Sequence, residues 1–114
     1  MCELLAMSSL HAVRLTFSLE TLAAHGAADG RYRGGWGVAF YQGNDVALFR
    51  EPTPAGDSAL IRLLESSGPE STLVISHIRR ATHGEISLAN TQPFTRQVRE
   101  RTHVFAHNGN LPGI

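Results

Sequence analysis

The chain has 114 residues, which is room for one domain, and its 42% of apolar residues is enough for an ordinary hydrophobic core. Ten basic residues balance ten acidic ones, so the chain lacks the basic stripe that nucleic-acid binding requires. Its apolar runs are shorter than the roughly 20 residues of a membrane span, and its N-terminus lacks a positively charged signal region. A single cysteine excludes an internal disulfide. We therefore expect a cytoplasmic protein with no nucleic-acid or membrane partner.

The first third of the chain predicts a strand followed by a helix. Residues 2–8 are mostly apolar and contain no glycine or proline, as is typical of a short strand. Ser18 can cap a helix that begins there, and Gly26 can end it in a left-handed conformation. Residues 27–35 are rich in glycine and alanine beside two arginines, which indicates a surface loop.

The middle of the chain predicts a hairpin and a second helix. Residues 36–41 and 46–50 are β-rich runs separated by a turn-forming segment. Asp57 or Ser58 can cap a helix that ends at Gly68, which is followed by proline. Four apolar residues of this helix are expected on one side: Leu60, Ile61, Leu63 and Leu64.

Two more strands are predicted in the last third of the chain. Residues 72–78 are nearly all apolar or β-branched, the pattern of a strand that is buried on both faces. Residues 79–95 are polar and predict a loop, and residues 102–106 predict the last strand. Strands with helices at intervals and a clear hairpin favour a layered α+β arrangement over a doubly wound sheet.

Cys2 is the first residue that could carry chemistry. A lone cysteine is most often a small buried hydrophobic residue. Removal of Met1, however, would leave a thiol and a free α-amine on one residue. The amine has a pKa of about 7.7 to 8.0, so it can act as the base that generates the reactive thiolate. Both interpretations of Cys2 are open on this evidence.

Two arginines follow the predicted buried strand, within the sequence HIRRATHG at residues 77–84. A guanidinium at a sheet end can hold a carboxylate through two parallel hydrogen bonds, although Arg79 and Arg80 could also be solvated loop charges. His77 and His83 have no cysteine or carboxylate at ligand spacing nearby, which argues against a zinc site.

The sequence His107-Asn108-Gly109 follows the last predicted strand. Asn followed by Gly commonly forms a tight turn. The same pair can present a side-chain amide beside an unhindered backbone N–H, and an oxyanion hole for acyl transfer needs such donors.

These features occur in a fixed order along the chain. The order is Cys2 after Met1, then GWGVAFY, HIRRATHG, NTQPF and AHNGN. In this order the chain resembles the glutaminase domain of class II glutamine amidotransferases, in the N-terminal-nucleophile hydrolase superfamily, and most of all their stand-alone YafJ-like branch. The resemblance implies a four-layer αββα sandwich of antiparallel sheets. It also implies that residues 1–114 are the N-terminal portion of a single such domain, incomplete in this chain.

The resemblance also implies the roles of particular residues. Cys2 would be the nucleophile, and Asn108 and Gly109 would form the oxyanion hole. Arg79 would bind the α-carboxylate of glutamine. The other substrate-binding residues would be Thr82, His83, Trp36 and Gly37.

The chain departs from the family pattern at three places. Arg80 stands where many members have tryptophan, Gly35 stands where an acidic residue is common, and no acidic residue follows Asn108 to bind the substrate amino group. The expected activity is that of a glutamine amidotransferase or glutaminase that needs no metal or cofactor. The acceptor of the ammonia is expected either on a further segment of the protein or on a partner protein. Two alternatives are a γ-glutamyl amide hydrolase acting on a small peptide or thiol compound, and an inactive fragment.

Overall fold

The computed structural model describes residues 3–15, 34–79 and 87–108. This part of the chain is an α+β fold in which all strand pairs are antiparallel, so the predicted class is confirmed. The predicted helix from Ser18 lies outside the described residues. The elements are β1 (Glu3–Arg14), β2 (Trp36–Gln42), β3 (Asp45–Glu51), α1 (Ala59–Ser67), β4 (Glu70–Ile78), β5 (Phe94–Val98) and β6 (Arg101–Phe105), with short 3-10 helices at Ala55–Asp57 and Leu88–Asn90.

Four strands form one sheet in the order β1-β4-β2-β3. The β-branched strand β4 is internal, so its backbone is hydrogen-bonded on both edges. Glu3 of β1 and Trp36 of β2 both pair with Ile78 of β4, which aligns these three residues at one end of the sheet. Burial of β4 on both faces was predicted along its whole length and holds only for its C-terminal part. Leu73 is 37% exposed because its partner on β1, Ser8, is also exposed and the described residues place no second layer there.

Strand β1 is longer than the predicted segment. It continues past Ser8 to Arg14, with a register shift between Ser8 and Val13. Leu10, within the shifted stretch, is 89% exposed. The apolar pattern therefore predicted the half of β1 before the register shift and missed the more exposed half, which pairs with β4 again at Val13 and Arg14.

The hairpin of β2 and β3 is confirmed. Val38 pairs with Phe49 and Gln42 pairs with Asp45, which leaves Gly43 and Asn44 as a two-residue turn. Gly43 has a φ of 65°, a conformation that glycine adopts without a Cβ clash and that suits the twist of a hairpin.

Helix α1 covers one face of the large sheet. Its N-cap is Ser58, whose Oγ accepts a hydrogen bond from the backbone N–H of Ile61 at 3.1 Å, and Gly68 is its C-cap. Ile61 and Leu64 are each 3% exposed, whereas Leu63 is 57% exposed. The expectation for Leu63 was wrong because successive helical residues are about 100° apart, which turns Leu63 away from the buried stripe. The buried stripe packs in a core with Trp36, Val38, Phe40, Val74 and Ile78.

Strands β5 and β6 form a second, two-stranded sheet. Strand β6 matches the prediction to within one residue, but strand β5 was not predicted. Their turn carries Arg99 at a φ of 59°, which few non-glycine residues adopt. The hairpin contacts the large sheet at Thr102, whose N–H donates to the Asn44 carbonyl at 3.1 Å and whose carbonyl accepts from the Tyr41 hydroxyl at 3.2 Å.

Candidate functional site

Arg79 follows β4 directly at the end of the sheet where Glu3, Ile78 and Trp36 are aligned. Its N–H donates to the Gly35 carbonyl at 2.9 Å, and its carbonyl accepts from the Gly34 N–H at 3.2 Å. Gly35 has a φ of 109°, and a Cβ there would lie 2.7 Å from the Glu51 carbonyl oxygen. The glycine stretch before β2 thus extends the ladder by one residue and fixes the backbone of Arg79, which is 8% exposed.

Trp36 and Gly37, predicted to bind substrate, begin strand β2. The Trp36 ring is 1% exposed in the core, and its Nε1–H donates to Glu51 Oε1 at 3.0 Å. The same carboxylate oxygen accepts from the hydroxyl of Ser58, the cap of α1. These contacts tie the start of β2 to α1 and direct the indole into the core.

Gly37 lies directly beneath the segment that precedes β5. A Cβ on Gly37 would lie 2.0 Å from the Gln92 carbonyl oxygen and 2.8 Å from Pro93 Cδ. Only a residue without a side chain permits this approach. The identity of Gly37 is therefore explained by the placement of Gln92 and Pro93 on the sheet.

The same segment is held by polar contacts as well. Thr91 is fully buried, and its carbonyl accepts from Arg50 Nη1 at 2.9 Å. Its hydroxyl donates to the Ser87 carbonyl at 2.7 Å. Gln92 is 7% exposed, and its peptide bond to Pro93 is cis. The three central residues of the NTQPF sequence, Thr91, Gln92 and Pro93, are thus buried, and hydrogen bonds of Thr91 anchor them at the site.

Gln92 and His77 both bind the backbone of His107. The His107 N–H donates to Gln92 Oε1 at 2.7 Å. The His107 carbonyl accepts from His77 Nε2 at 3.1 Å. The next residue, Asn108, is exposed. The residue that precedes Asn108 is therefore fixed to β4 and to the NTQPF segment.

Burial makes His77 a neutral donor. The ring is 1% exposed, and burial lowers the pKa of His77 to about 4, with the nearby His107 and Arg79 charges adding to the effect. The His107 carbonyl and the Asn108 side chain oppose this shift because they stabilise the protonated ring. A neutral imidazole has one N–H, which belongs on Nε2 because that atom faces a carbonyl. Nδ1 is buried with no hydrogen-bond partner among the described residues.

The structure brings four of the predicted site residues to one end of the sheet: Trp36, Gly37, Arg79 and Asn108. Arg79 lies two residues after His77, which is about 7 Å along an extended chain, and the His77 ring holds the residue before Asn108. Cys2, Thr82, His83 and Gly109 lie outside the described residues. Cys2 precedes Glu3, which pairs with Ile78 beside Arg79. The support that Gln92 and His77 give to His107 was missed from the sequence. The quoted NTQPF and HIRRATHG segments contained both residues without indicating that contact.

Residues 3–15, 34–79 and 87–108 contain no group of three or more His, Cys, Asp or Glu residues that could hold a metal ion. Within the same ranges, no helix has the length and apolar character needed to cross a membrane.

Comparisons with known proteins identify relatives of this chain. A family model described as class II glutamine amidotransferases matches residues 1–114. The putative glutamine amidotransferase YafJ of Escherichia coli is 40% identical over 113 residues, which cover 99% of this chain and 44% of that protein. A putative glutamine amidotransferase of Haemophilus influenzae is 36% identical over 114 residues, which cover 100% of this chain and 39% of that protein.

One solved structure shows the same fold. The crystal structure of a predicted glutamine amidotransferase from Pseudomonas aeruginosa superposes with a TM-score of 0.60 at 34% identity, covering 99% of this chain and 45% of that one. The chain therefore spans less than half the length of these relatives. The match along the whole chain confirms the resemblance found in the sequence: the chain belongs to the class II glutamine amidotransferases.

Proposed function

We propose that the protein releases ammonia from the side-chain amide of glutamine by acyl transfer to Cys2. The observation that carries this proposal is the connection between Arg79 and Asn108. Arg79 is a buried arginine at the end of β4, and the exposed Asn108 is linked to the same strand through His107 and His77. A carboxylate-binding cation and an amide donor at one sheet end suit a substrate that carries both a carboxylate and a reacting carbonyl.

In the proposed first stage, the α-amine of Cys2 takes the thiol proton and the thiolate attacks the amide carbon of glutamine. The Asn108 side-chain amide and the Gly109 N–H donate hydrogen bonds to the oxyanion that forms. The protonated amine then passes its proton to the leaving nitrogen. The C–N bond breaks, ammonia departs, and a γ-glutamyl thioester remains on Cys2.

In the second stage, the α-amine takes a proton from water, and the resulting hydroxide attacks the thioester carbonyl. The same two donors stabilise the second oxyanion. The C–S bond breaks, the thiolate is reprotonated, and glutamate leaves. No redox change occurs in either stage, so the cycle needs only glutamine and water.

Arg79 gives the site its specificity for an α-amino acid in this proposal. The planar guanidinium binds the α-carboxylate through two parallel hydrogen bonds, and Thr82 and His83 complete the pocket. The Trp36 ring is in the core and Gly37 lies beneath Gln92 and Pro93, so Trp36 and Gly37 would support the site indirectly, by fixing the start of β2 and the segment packed on it. We assign the use of the ammonia to a partner protein in the cytoplasm.

The test is release of glutamate and ammonia from glutamine by the intact protein, measured beside Cys2→Ala and Cys2→Ser. The proposal predicts equal amounts of both products from the unaltered protein and none from Cys2→Ala. Release of glutamate from a γ-glutamyl peptide, with no reaction of glutamine, would replace the substrate with the alternative considered above. Full activity of Cys2→Ala would reject the nucleophile.

A further inference from the structure

We propose that His77 and Gln92 are positioning residues for the reaction: together they fix the backbone of His107 and so aim the Asn108 amide at the substrate oxyanion. This inference rests on the proposed function, because it assigns Asn108 a donor role. Neither residue would touch the substrate. Gln92 would act through its hydrogen bond to His107. His77 would act through its hydrogen bond to the His107 carbonyl and through its direct interaction with the Asn108 side chain.

The two hydrogen bonds restrain the two peptide groups on either side of the His107 Cα. Gln92 Oε1 accepts from the His107 N–H, in the peptide plane shared with Ala106, at 2.7 Å. His77 Nε2 binds the His107 carbonyl, in the plane shared with Asn108, at 3.1 Å. Because each peptide group is planar, fixing both planes fixes φ and ψ of His107. The second plane also contains the N–H of Asn108, so the direction of the chain into the turn is set.

His77 and Gln92 are themselves restrained by burial and by contacts with the rest of the fold. His77 lies on the internal strand β4 and is 1% exposed. Gln92 is 7% exposed and belongs to the segment that packs on Gly37 and is bound by Arg50 through Thr91. A group fixed before the substrate arrives stabilises a transition state without reorganisation during the reaction. The exposed Asn108 is thus supported by buried residues from two other parts of the chain.

The hydrogen bonds of Gln92 and His77 to His107 differ in chemistry, so substitutions can test each of them separately. Gln92 is an acceptor with no titrating group, whereas His77 must keep its proton on Nε2 to donate. Burial keeps the pKa of His77 far below neutrality, so its donor state does not change over a neutral range of assay pH. A glutamine at position 77 could supply an N–H in place of Nε2, but a leucine could not.

The experiment measures glutamine hydrolysis by Gln92→Met, His77→Leu and His77→Gln in the intact protein. Loss of a supporting contact that shifts a reacting group by about 1 Å can cost up to about 100-fold in rate. We expect Gln92→Met and His77→Leu to lower kcat by about 10- to 100-fold with little change in KM, and His77→Gln to recover most of the loss. Matched controls are Gln97→Met on β5 and His103→Leu on β6, two exposed positions where the same side-chain changes should leave kcat unchanged.

Two further readouts separate positioning from loss of structure. The rate at which iodoacetamide alkylates Cys2 should stay within about twofold of the unaltered protein, because this reaction develops no oxyanion. In an Asn108→Ala background, adding Gln92→Met should lower kcat by less than about threefold, because residues that act through one group are not additive.

Each outcome decides the inference. Unchanged kcat in both Gln92→Met and His77→Leu would overturn it while leaving the glutaminase activity of the unaltered protein established. Equal losses of kcat and alkylation rate would also overturn the inference, since they would show a general structural effect. So would a full multiplicative loss of kcat in the Asn108→Ala background, since it would show that Gln92 does not act through Asn108. Absence of glutamine and γ-glutamyl hydrolysis in the unaltered protein would instead reject the proposed function itself.

Discussion

The two faces of the four-stranded sheet are built from different chemistry. Residues that alternate along β2 and β4 point to opposite faces. Phe40 and Val74 face α1 and lie in an apolar core. Gly37 and His77, on the other face, meet polar segments of the chain through a close backbone approach and a hydrogen bond. Apolar packing on the core face therefore stabilises the fold, whereas the specific contacts on the other face set the position of the segments that carry the candidate site residues.

Phe40→Ala tests the core face and has the largest expected effect. Phe40 is 1% exposed and makes an edge-to-face contact with Phe49, with ring centroids 6.0 Å apart. Removing a buried aromatic ring costs about 3 to 5 kcal/mol of unfolding free energy. Chemical denaturation measures this loss, and Leu10→Ala, at a position that is 89% exposed, is the control. If the comparison holds, kcat per folded molecule stays normal in both variants.

Asn108→Ala tests the polar face, and here we expect a loss of kcat with little loss of stability. If the Asn108 amide binds the oxyanion, its contribution exists only when charge develops on the carbonyl oxygen, so kcat falls and KM stays nearly constant. Loss of one such donor costs about 10²- to 10³-fold in kcat, or roughly 3 to 4 kcal/mol. Steady-state kinetics and the thermal midpoint are measured on the same samples. A lower midpoint with normal kcat would make Asn108 a turn-forming residue only.

The buried His77 should make stability depend on pH. Its pKa is about 4 in the folded state against 6.5 for an unperturbed histidine. Between these values the unfolded chain takes up a proton that the folded chain does not, so acid favours unfolding. From this residue we expect stability to be constant above pH 6.5 and to fall by about 1 kcal/mol per pH unit down to pH 4.

Denaturation at a series of pH values measures this slope, with His77→Gln as the control because glutamine does not titrate. The variant should lose most of the slope between pH 6.5 and 4. An identical slope in both proteins would show that other groups cause the acid sensitivity and that His77 is not buried as a neutral donor.

Arg79→Lys has the smallest expected effect. Lysine keeps the charge but loses the planar pair of donors, so KM for glutamine should rise by about 10-fold, the value of one charged hydrogen bond. Steady-state kinetics should show a smaller change in kcat. Arg80→Lys is the matched control, and a rise in KM there, with none for Arg79→Lys, would transfer the carboxylate role to Arg80.

Local patterns predicted the parts of the fold that local chemistry determines. Gly43 marked the turn of the β2–β3 hairpin, and Ser58 and Gly68 marked the ends of α1. Strand β5 was not predicted at all. Its residues are mostly polar and exposed, and its turn places Arg99, rather than glycine, at a positive φ.

The roles of the site residues stay predictions, and the contacts that support these residues were not predicted from the sequence. Arg79 and Asn108 were identified from short motifs and from the family resemblance. The contacts of His107 with Gln92 and His77 join residues 15 and 30 positions apart. Such pairs leave no periodic or turn signal in the sequence, so only the fold reveals them.

Mass spectrometry of the intact protein, quenched during turnover of glutamine, tests the central claim most directly. The account predicts a chain that begins at Cys2 and a population that is heavier by one γ-glutamyl group, located by peptide mapping on the N-terminal cysteine. Retention of Met1 in active protein would contradict the role of the Cys2 amine as base. A glutamyl adduct on any other residue would contradict Cys2 as the nucleophile.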